Sequence, residues 1–450
     1  MRPVRLLLSL TVLGALSLAV LGTACSKSNN KTPAQSFTPS AGENEDDNED
    51  AKDGLDEDGG APPTHNDSTT IPSKIRYVMV LVKENHTFDN YFTDFPGAES
   101  SKTAKLPNGK TMTRKQAPTE LMKDICHSNS CGQTAYDNGK MDNFGSKDPD
   151  RPYYFYSEKQ IPNYWQYARN FVLADHLFST TLGPSTPGHT VFWTGQSLVL
   201  DNAKCEKDGG ECKGAGCKAG ADVKITSYDP DQCTTKRVAP CFDVPSLTDH
   251  LPDGFTWSNY GGPISQMVKT NAADPGYATH YRKQDDLLKD LQAGMVANLT
   301  IGHLWSGEVS EHPAAYPCDG ENFTVDIVNA AMKLPQWKEM AIVITWDDWG
   351  GWYDHVAPPV RKCKNGQIFQ AGFRIPAIIV SPYAKKGFVL KTPAEQASVP
   401  RLVEELWGMK FMTERDPHAR DGVSGSLMEA FDFNQTPRDP LILEKHACPP

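Results

Sequence analysis

Two short clusters of oxygen-bearing side chains each follow an apolar run of strand length. Glu84 and Asn85 follow the first run, and Asp347 and Asp348 follow the second. Carboxylate and amide oxygens are the ligands that hard divalent cations prefer. Because ligands of open α/β sheets bind beyond the carboxyl ends of the strands, we expect the two clusters to meet in space. Acids after a strand also cap turns, but two such clusters after two similar strands favour a cation site.

A candidate nucleophile stands in a segment punctuated by glycine and proline. Ser185 lies within the sequence Gly-Pro-Ser-Thr-Pro, which leads into an apolar stretch. The glycine and prolines predict a loop that opens a helix. A hydroxyl there would sit near backbone N–H groups and the positive end of the helix dipole, which suits a phosphate oxyanion and helps an alkoxide to form. An ordinary helix N-cap is the alternative role for this serine.

The elements that must position these residues are visible as apolar patterns. Three apolar runs have the length of strands covered on both faces, at residues 77–82, 341–346 and 375–380. Helical patterns lie between them, at residues 159–171, 283–294 and 323–334. Buried strands that alternate with helices predict an α/β layered fold with a mainly parallel central sheet flanked by helices.

The charge is distributed unevenly along the chain. The 450 residues carry a formal net charge of -11, and residues 43–58 alone hold ten acids and one lysine. An acidic chain lacks the basic footprint of a nucleic-acid-binding protein. A mean hydropathy of -0.50 with one long apolar stretch excludes a polytopic membrane protein. We expect residues 26–70 to form a disordered acidic linker, with calcium capture by the acidic run as the alternative.

The first 25 residues have the pattern of an export signal. Arg2 and Arg5 precede an apolar stretch that ends in small residues before Cys25. This pattern predicts a secretory signal, and a retained single-pass anchor is the alternative. The ending also resembles a bacterial lipobox, although Gly22 stands where an aliphatic residue is usual. We therefore expect an exported, extracytoplasmic protein, tethered to the membrane through lipidation of Cys25.

Eleven cysteines are many for a reducing compartment and an odd number for disulfides alone. Five of them lie in residues 200–245 without the paired spacing of a zinc site, which predicts a disulfide-stapled insertion. If Cys25 is lipidated or lost with the signal, the remaining ten permit five disulfides. Two cysteine pairs surround candidate site residues in the sequence: Cys126 and Cys131, Cys318 and Cys363. Bridges at these positions would brace the site.

Five segments, in this order along the chain, resemble a known family. They are Lys-Glu-Asn-His-Thr-Phe-Asp at 83–89, Gly-Lys-Met-Asp at 139–142, Gly-Pro-Ser-Thr-Pro at 183–187, Thr-Trp-Asp-Asp-Trp-Gly-Gly-Trp-Tyr-Asp-His-Val-Ala-Pro-Pro at 345–359 and Arg-Ile-Pro-Ala-Ile-Ile-Val-Ser-Pro at 374–382. The set resembles the signature segments of the bacterial acid phosphatase and phospholipase C family of phosphoesterases. The resemblance implies an alkaline-phosphatase-like α/β fold, with residues 71–450 as the catalytic domain.

The resemblance also implies a cofactor and a nucleophile. One divalent metal ion, Ca²⁺, Mg²⁺ or Mn²⁺, would be held by Glu84, Asn85, Asp347 and Asp348. Ser185 occupies the nucleophile position of the family, and its oxygen would also approach the metal. These positions coincide with the oxygen clusters and the serine segment identified from the residues themselves.

Further site residues follow from the same resemblance. His127 and His312 match histidines that line the site, and they would transfer protons to and from the reacting oxygens. Asp354, His355 and His86 would orient the groups that bind the metal. The family usually has arginine at the position of His86, so this chain departs from the pattern there.

The expected activity is phosphomonoester hydrolysis through a phosphoserine intermediate, with a small phosphorylated compound as substrate. Ser185 and Asp348 resemble the acid-phosphatase branch, because many phospholipase-type members have threonine and glutamate at these positions. Many of those members also have Asn-Arg where this chain has Gly188 and His189. The nearest alternative is a phospholipase C that cleaves phospholipid headgroups. A second alternative is a catalytically silent surface lipoprotein that keeps the fold for binding.

Overall fold

The computed structural model describes residues 72–119, 122–202, 204–205, 216–262 and 264–448. The predicted signal, Cys25 and the predicted acidic linker lie outside the described residues, as does part of the predicted cysteine-rich insertion. Among the helices that the structure describes, none combines the length and the apolar character needed to cross a membrane. The division of the chain into signal, linker and catalytic domain stays a prediction.

Strands and helices alternate along the described residues. The strands are β1 Tyr77–Lys83, β2 Thr103–Lys105, β3 Thr111–Thr113, β4 Lys115–Gln116, β5 Tyr154–Phe155, β6 Val172–Ala174, β7 Leu177–Phe178, β8 Lys204–Cys205, β9 Val223–Asp229, β10 Thr234–Val238, β11 Trp257–Tyr260, β12 Tyr281–Arg282, β13 Leu299–His303, β14 Met340–Trp346, β15 Val360–Lys362, β16 Ile368–Gln370, β17 Ala377–Val380, β18 Phe388–Leu390 and β19 Ala394–Glu395. The α-helices are α1 Phe88–Tyr91, α2 Asn129–Tyr136, α3 Pro162–Asn170, α4 Ser185–Thr194, α5 Lys269–Ala273, α6 Tyr277–His280, α7 Asp286–Gln292, α8 Pro317–Met332 and α9 Ser398–Trp407.

The central sheet has eight strands in the order β12-β11-β13-β1-β14-β17-β6-β18. Neighbouring strands pair in parallel, except that β17 runs antiparallel to both β14 and β6. The predicted α/β fold with a mainly parallel sheet is therefore confirmed. The three predicted strands are β1, β14 and β17, and the side chains of β14 and β17 are buried along their whole length, as expected for strands covered on both faces.

The helical patterns of the sequence correspond to α3, α7 and α8. Helix α8 begins at Pro317, six residues before the predicted start, because Pro317 supplies a favourable first residue and Asp319 lies in the first turn. Its buried positions, which include Val325, Val328 and Ala331, recur at helical spacing and form the face packed on the core. Helix α3 packs against β6 and β17, and α4 packs against α9.

Four disulfides join eight of the cysteines in the described residues, which confirms the expected disulfide chemistry. They are Cys126–Cys131, Cys217–Cys241, Cys233–Cys363 and Cys318–Cys448. The bridge next to His127 is present as expected. Cys318 and Cys363, which bracket the acidic pair in the sequence, are bridged to Cys448 and Cys233. Proximity in sequence could not reveal these partners, because each lies 130 residues away along the chain.

Candidate active site

The two oxygen clusters meet at the carboxyl end of two adjacent parallel strands. Strands β1 and β14 are paired in parallel so that Lys83 lies opposite Trp346. The residues that follow the two strands, Glu84 and Asp347, therefore leave the sheet at the same edge. The backbone N–H of Asn85 donates to Asp347 Oδ1 at 3.1 Å. The expectation that Glu84, Asn85, Asp347 and Asp348 come together is therefore met.

The oxygens of this cluster face one another in a buried space. Asn85 Oδ1 lies 2.6 Å from Glu84 Oε2 and 3.1 Å from Asp347 Oδ1, and rotation of the amide would instead turn its NH₂ group toward those carboxylates. Among the described residues, Asp347 Oδ2 and Asp348 Oδ2 are buried without a hydrogen-bond partner. Converging acceptor oxygens with unpartnered lone pairs fit a hard divalent cation.

Burial makes this cluster electrostatically costly without a cation. Desolvation raises the pKa of Glu84 and of Asp348 to about 7. Burial, followed by the charges of Asp348 and Glu84, raises the pKa of Asp347 well above its usual range. Three carboxylates that cannot all ionise at low cost are the arrangement that a bound divalent cation would stabilise.

Ser185 reaches this cluster from the first turn of α4. Pro184 is the N-cap of the helix and Ser185 is its first helical residue, so the serine does not cap the helix. Its hydroxyl donates to Glu84 Oε2 at 3.1 Å. Ser185 is partly exposed, whereas Glu84 is buried. A substrate in solvent could therefore reach the serine oxygen, while the carboxylates behind it stay shielded from water.

Two glycines allow the backbones around the site to approach closely. A Cβ atom on Gly188 would lie 2.0 Å from the carbonyl oxygen of Asp347, so only glycine lets α4 pack against the end of β14. Gly350 has a φ of +59°, and a Cβ atom there would lie 2.1 Å from the carbonyl oxygen of Asn85. These contacts set the distance between the serine and the acidic residues.

The predicted histidines lie beside the oxygen cluster. His127 Nδ1 is 2.7 Å from the carbonyl oxygen of Ile125, and its Nε2 is 3.1 Å from Asn85 Nδ2. The rings of His127 and His312 have their centroids 5.8 Å apart. His312 Nδ1 lies 2.5 Å from the carbonyl oxygen of Pro313. Both nitrogens of His127 thus contact protein groups, whereas no hydrogen bond to His312 Nε2 forms within the described part of the chain.

The charge of His127 is set by its acidic neighbours. Burial alone would lower its pKa, but the charges of Asp348 and Asp124 raise the pKa of His127 to about 10. Asp124, which the sequence did not single out, lies 3.4 Å from His127 Nδ1. A nearby cation would oppose these two carboxylates, so the charge of His127 depends on whether the oxygen cluster is filled.

Asp354 and His355 lie in a separate cluster. Arg374 Nε donates to Asp354 Oδ1 at 2.9 Å, and His355 Nδ1 lies 2.6 Å from Asp89 Oδ2. Among the hydrogen bonds of the described residues, none joins Asp354 or His355 to the four oxygen-bearing residues. The structure therefore places them where they fix the loop after β14 to helix α1, through Asp89 and Arg374.

His86 and Glu311 hold the loop that carries His312. Lys83 Nζ pairs with Glu311 Oε1 at 3.0 Å, and both side chains are fully buried. The same carboxylate accepts hydrogen bonds from Tyr91 at 2.8 Å and Trp346 at 3.1 Å. His86 Nε2 lies 3.1 Å from the carbonyl oxygen of Glu311. Because Glu311 precedes His312 directly, these contacts fix the position of that histidine.

Besides Asp124, the sequence analysis missed three residues near the site. His189 Nε2 lies 2.9 Å from Glu84 Oε1, and its Nδ1 lies 2.8 Å from His303 Nδ1. Trp193 Nε1 donates to His303 Nε2 at 3.0 Å. His189 follows Ser185 by four residues on the same helix, and that spacing was the available signal. Nothing in the sequence links His303 to them, because it belongs to a strand more than a hundred residues away.

Comparisons with known proteins identify the family of this chain. The sequence profile of the Phosphoesterase family matches residues 75–410. The non-hemolytic phospholipase C of Pseudomonas aeruginosa is 22% identical over 432 residues, which cover 82% of this chain and 58% of that protein. Phospholipase C A of Mycobacterium tuberculosis is 22% identical over 434 residues, which cover 81% of this chain and 78% of that protein. The non-specific phospholipase C1 of Arabidopsis thaliana is 34% identical over 149 residues, 28% of this chain and 27% of that protein.

The chain spans only part of the length of several of these relatives, about three fifths in the Pseudomonas protein. Among solved structures, Ps i-CgsB in complex with k-i-k-neocarrahexaose is 11% identical, with a TM-score of 0.38 over 79% of this chain and 75% of that chain. A protein in the alkaline phosphatase superfamily from Vibrio parahaemolyticus is 12% identical, with a TM-score of 0.34 over 75% of this chain and 69% of that chain. The sheet order described above, rather than these structures, defines the fold.

Proposed function

The chain belongs to the phosphoesterase family, and from that premise we propose that it hydrolyses phosphate esters with Ser185 as the nucleophile. One observation carries the proposal. The Ser185 hydroxyl donates to Glu84 Oε2 at 3.1 Å, at the rim of a buried cluster of oxygen ligands. A partly exposed hydroxyl beside a cation site and a helix N-terminus is suited to attack phosphorus.

The residues present fit a divalent cation. Glu84, Asn85, Asp347 and Asp348 would hold it, with the Ser185 oxygen beside it, and oxygen-only ligation suits Ca²⁺, Mg²⁺ or Mn²⁺. The unpartnered Asp347 Oδ2 and Asp348 Oδ2 support this assignment. A bound cation would lower the pKa of the serine hydroxyl and neutralise the charge that develops on the phosphate.

The reaction would proceed through two displacements at phosphorus. Ser185 Oγ loses its proton to solvent and attacks, the bond between phosphorus and the ester oxygen breaks, and a phosphoserine forms. Water then attacks phosphorus, the bond to Ser185 Oγ breaks, and the serine oxygen takes back a proton from solvent as phosphate is released. Splitting the hydrolysis into two steps gives each a better positioned nucleophile than water attacking the ester directly.

His312 is the better candidate for proton transfer. Its Nδ1 is held by the Pro313 carbonyl, which leaves Nε2 to protonate the leaving oxygen and then to take a proton from water. His127 has both ring nitrogens engaged, by Ile125 and Asn85. His127 would instead hold the Asn85 amide so that its oxygen faces the cation.

Two substrate classes remain in the proposal. A small phosphomonoester is the first, because Ser185 and Asp348 resemble the acid-phosphatase branch of the family. A phospholipid headgroup phosphodiester is the second, supported by three relatives named phospholipase C. A catalytically silent binding protein fits less well, since the nucleophile and ligand positions all carry chemically competent residues.

The proposed location is outside the cytoplasm. The four disulfides support an oxidising compartment, because disulfides are rare in reducing ones. Membrane tethering through Cys25 stays a prediction, since that residue lies outside the described part of the chain.

Ser185→Ala tests the nucleophile, with Thr186→Ala as the matched control. Turnover of p-nitrophenyl phosphate, its choline diester and phosphatidylcholine would be measured after loading with Mg²⁺, Mn²⁺ or Ca²⁺. Because the proposed mechanism forms its covalent intermediate on Ser185 Oγ, we expect Ser185→Ala to lose at least about 10³-fold in kcat on the preferred substrate. Thr186→Ala, which removes a partly exposed neighbouring hydroxyl, should keep kcat within about two-fold, as is usual for surface changes.

The same measurement separates the alternatives. Preference for p-nitrophenyl phosphate supports the monoesterase, and preference for the choline diester and phosphatidylcholine supports the phospholipase C. Near wild-type turnover in Ser185→Ala would refute the nucleophile assignment. Absence of activity on the whole panel with every metal would support the silent binding protein instead.

A further inference from the structure

Three buried side chains connect the Glu84 carboxylate to the protein interior. Trp193 Nε1 donates to His303 Nε2 at 3.0 Å, His303 Nδ1 lies 2.8 Å from His189 Nδ1, and His189 Nε2 lies 2.9 Å from Glu84 Oε1. His303 ends β13 opposite Val82 of β1, so the strand pairing places it beside Glu84. We call Trp193, His303 and His189 the imidazole chain. Each of its members is at most 2% exposed, so water does not compete for these bonds.

The chemistry of tryptophan fixes the direction of hydrogen bonding along the imidazole chain. An indole N–H only donates, so His303 Nε2 must accept and therefore carries no proton. The proton of His303 then sits on Nδ1 and is donated to His189 Nδ1. His189 in turn carries its proton on Nε2 and donates it to Glu84 Oε1. Any other placement of the protons would leave two donors or two acceptors facing each other at about 3 Å.

One turn of α4 then holds both oxygens of Glu84. His189 donates to Oε1, and Ser185, four residues earlier, donates to Oε2. Residues spaced by four lie on the same helix face, so the two contacts are set by one rigid element. The carboxylate is thereby fixed in rotation, with Oε2 on the side of the Asn85 amide group and the serine.

The direction of hydrogen bonding along the imidazole chain also decides which atoms can bind a cation. His189, Glu84 and Asp347 lie close enough to form a three-ligand metal site. His189 Nε2 lies 3.6 Å from Asp347 Oδ2 as well as 2.9 Å from Glu84 Oε1. An imidazole nitrogen that carries a proton has no lone pair to offer a metal. With Nε2 protonated, the site presents oxygen ligands alone.

We propose that the imidazole chain locks the tautomer of His189, so that His189 positions Glu84 and stays out of the metal coordination. This inference rests on the proposed cation site of the preceding subsection. Its consequence is selectivity: oxygen ligands favour hard cations such as Mn²⁺, Mg²⁺ and Ca²⁺, whereas a free imidazole nitrogen would favour Zn²⁺. Trp193 and His303 are thus positioning residues that act on the metal through His189.

Nuclear magnetic resonance reads the tautomers directly. Long-range ¹H–¹⁵N correlation spectra of the full chain with ¹⁵N-labelled histidine distinguish Nδ1–H from Nε2–H rings. We expect His303 as the Nδ1–H tautomer and His189 as the Nε2–H tautomer, each assigned by loss of its signal in His303→Asn or His189→Gln. A proton on Nδ1 of His189 would overturn the proposal, whether or not the protein binds metal or hydrolyses phosphate esters.

Metal competition tests the selectivity. Removing the indole N–H in Trp193→Phe frees His303, and then His189, to change tautomer. We expect the affinity for Mn²⁺ to fall roughly 10–100-fold, as for other groups that orient metal ligands, and the ratio of Zn²⁺ to Mn²⁺ affinity to rise by at least about tenfold. Trp257→Phe is the matched control, because Trp257 packs against Trp193 with ring centroids 5.5 Å apart and is not a member of the imidazole chain. An unchanged ratio in Trp193→Phe would overturn the proposal.

A double substitution separates orientation from packing. The glutamine amide of His189→Gln can donate to Glu84 without a choice of tautomer. In the His189→Gln background, Trp193→Phe should change the Mn²⁺ affinity by no more than about two-fold, because the imidazole chain no longer sets the hydrogen bond to Glu84. The same large loss in both backgrounds would mean that Trp193 acts only by packing. Absence of Mn²⁺ binding by wild type, with the predicted tautomers present, would refute the cation site while leaving the tautomer assignment intact.

Discussion

Two aspartates after β14 share a local geometry but differ in their partners. Asp348 Oδ1 accepts the backbone N–H of Gly350 at 2.6 Å, and Asp354 Oδ1 accepts that of Val356 at 2.9 Å. Asp354 faces the buried guanidinium of Arg374, whereas Asp348 Oδ2 has no hydrogen-bond partner among the described residues. One carboxylate is neutralised by the protein, and the other is left for a cation from outside.

This difference predicts opposite effects of the same substitution. We expect Asp348→Asn to weaken Mn²⁺ binding by at least about tenfold, because a metal ligand loses its charge. The metal-free variant should unfold at an unchanged or higher urea concentration, because the charge of a buried carboxylate is removed. Asp354→Asn, the matched control, should keep the Mn²⁺ affinity within about two-fold. It should lower the free energy of unfolding by about 1–3 kcal/mol, because it removes one of the two buried carboxylates, Asp354 and Asp89, that pair with Arg374. Equal Mn²⁺ affinity of Asp348→Asn and wild type, by calorimetric titration, would contradict the ligand role.

Helix α9 carries a buried carboxyl group away from the active site. Glu404 Oε1 accepts the backbone N–H of Met412 at 3.1 Å, while its Oε2 is buried without a hydrogen-bond partner in the described residues. Burial, followed by the charge of Asp421, raises the pKa of Glu404 to about 9. Helix α9 packs against α4, the helix that carries Ser185.

The raised pKa predicts that stability falls with pH. In the unfolded chain Glu404 titrates near pH 4.5, so between about pH 4.5 and 9 the folded state keeps a proton that the unfolded state releases. The contribution to the free energy of unfolding is complete below pH 4.5 and declines by up to about 1.4 kcal/mol per pH unit across that window. We expect urea unfolding at pH 5, 7 and 9 to show this decline in wild type, and Glu404→Gln to reduce its slope by about that amount.

Glu405→Gln serves as the control, because Glu405 is a partly exposed neighbour that pairs with Arg401. The slope in this variant should match that of wild type. If Glu404→Gln and Glu405→Gln lose stability in parallel with wild type as pH rises, the buried carboxyl group of Glu404 is not the cause.

At the scale of the whole molecule, disulfides connect distant parts of the described chain. Cys318–Cys448 joins helix α8 to the C-terminal segment across 130 residues, whereas Cys217–Cys241 closes a separation of 24 residues. Hydrogen bonds support the same attachment: Asn329 Nδ2 donates to the carbonyl oxygen of Leu443 at 2.8 Å. Both bridges lie outside the oxygen cluster that forms the candidate site, so they should affect stability rather than turnover.

The chain-entropy argument predicts which of these bridges contributes more. We expect the double variant Cys318→Ser and Cys448→Ser to lose about 2–5 kcal/mol in the free energy of unfolding. The loss in the matched variant Cys217→Ser and Cys241→Ser should be smaller than this by about 1.5 kcal/mol, because closing a shorter loop constrains the unfolded chain less. Urea unfolding checks both values, and kcat at low temperature should match wild type in both variants. A larger loss in the short-loop variant would contradict the entropic explanation.

Much of the fold was predictable because its signals are local. The buried runs of β1 and β14 are continuous and apolar, and the acids follow them directly, so strand type and site position could be inferred together. The direction of β17 was not predictable, since an apolar run looks the same whether the strand is parallel or antiparallel to its neighbours. Disulfide partners were hidden for a related reason: cysteine spacing does not encode which distant cysteine folds next to which.

By itself, the sequence determined the family and the fold class and indicated the candidate oxygen ligands, because these depend on residue types and on their order along one strand, loop or helix. Only the tertiary structure decided which groups touch. It placed Asp354 and His355 with Arg374 rather than with the oxygen cluster, and it joined His303 to His189 across more than a hundred residues. The physical reason is range: hydrogen bonds act over about 3 Å, so which residues they join depends on how distant segments pack, and that packing is a property of the whole sheet.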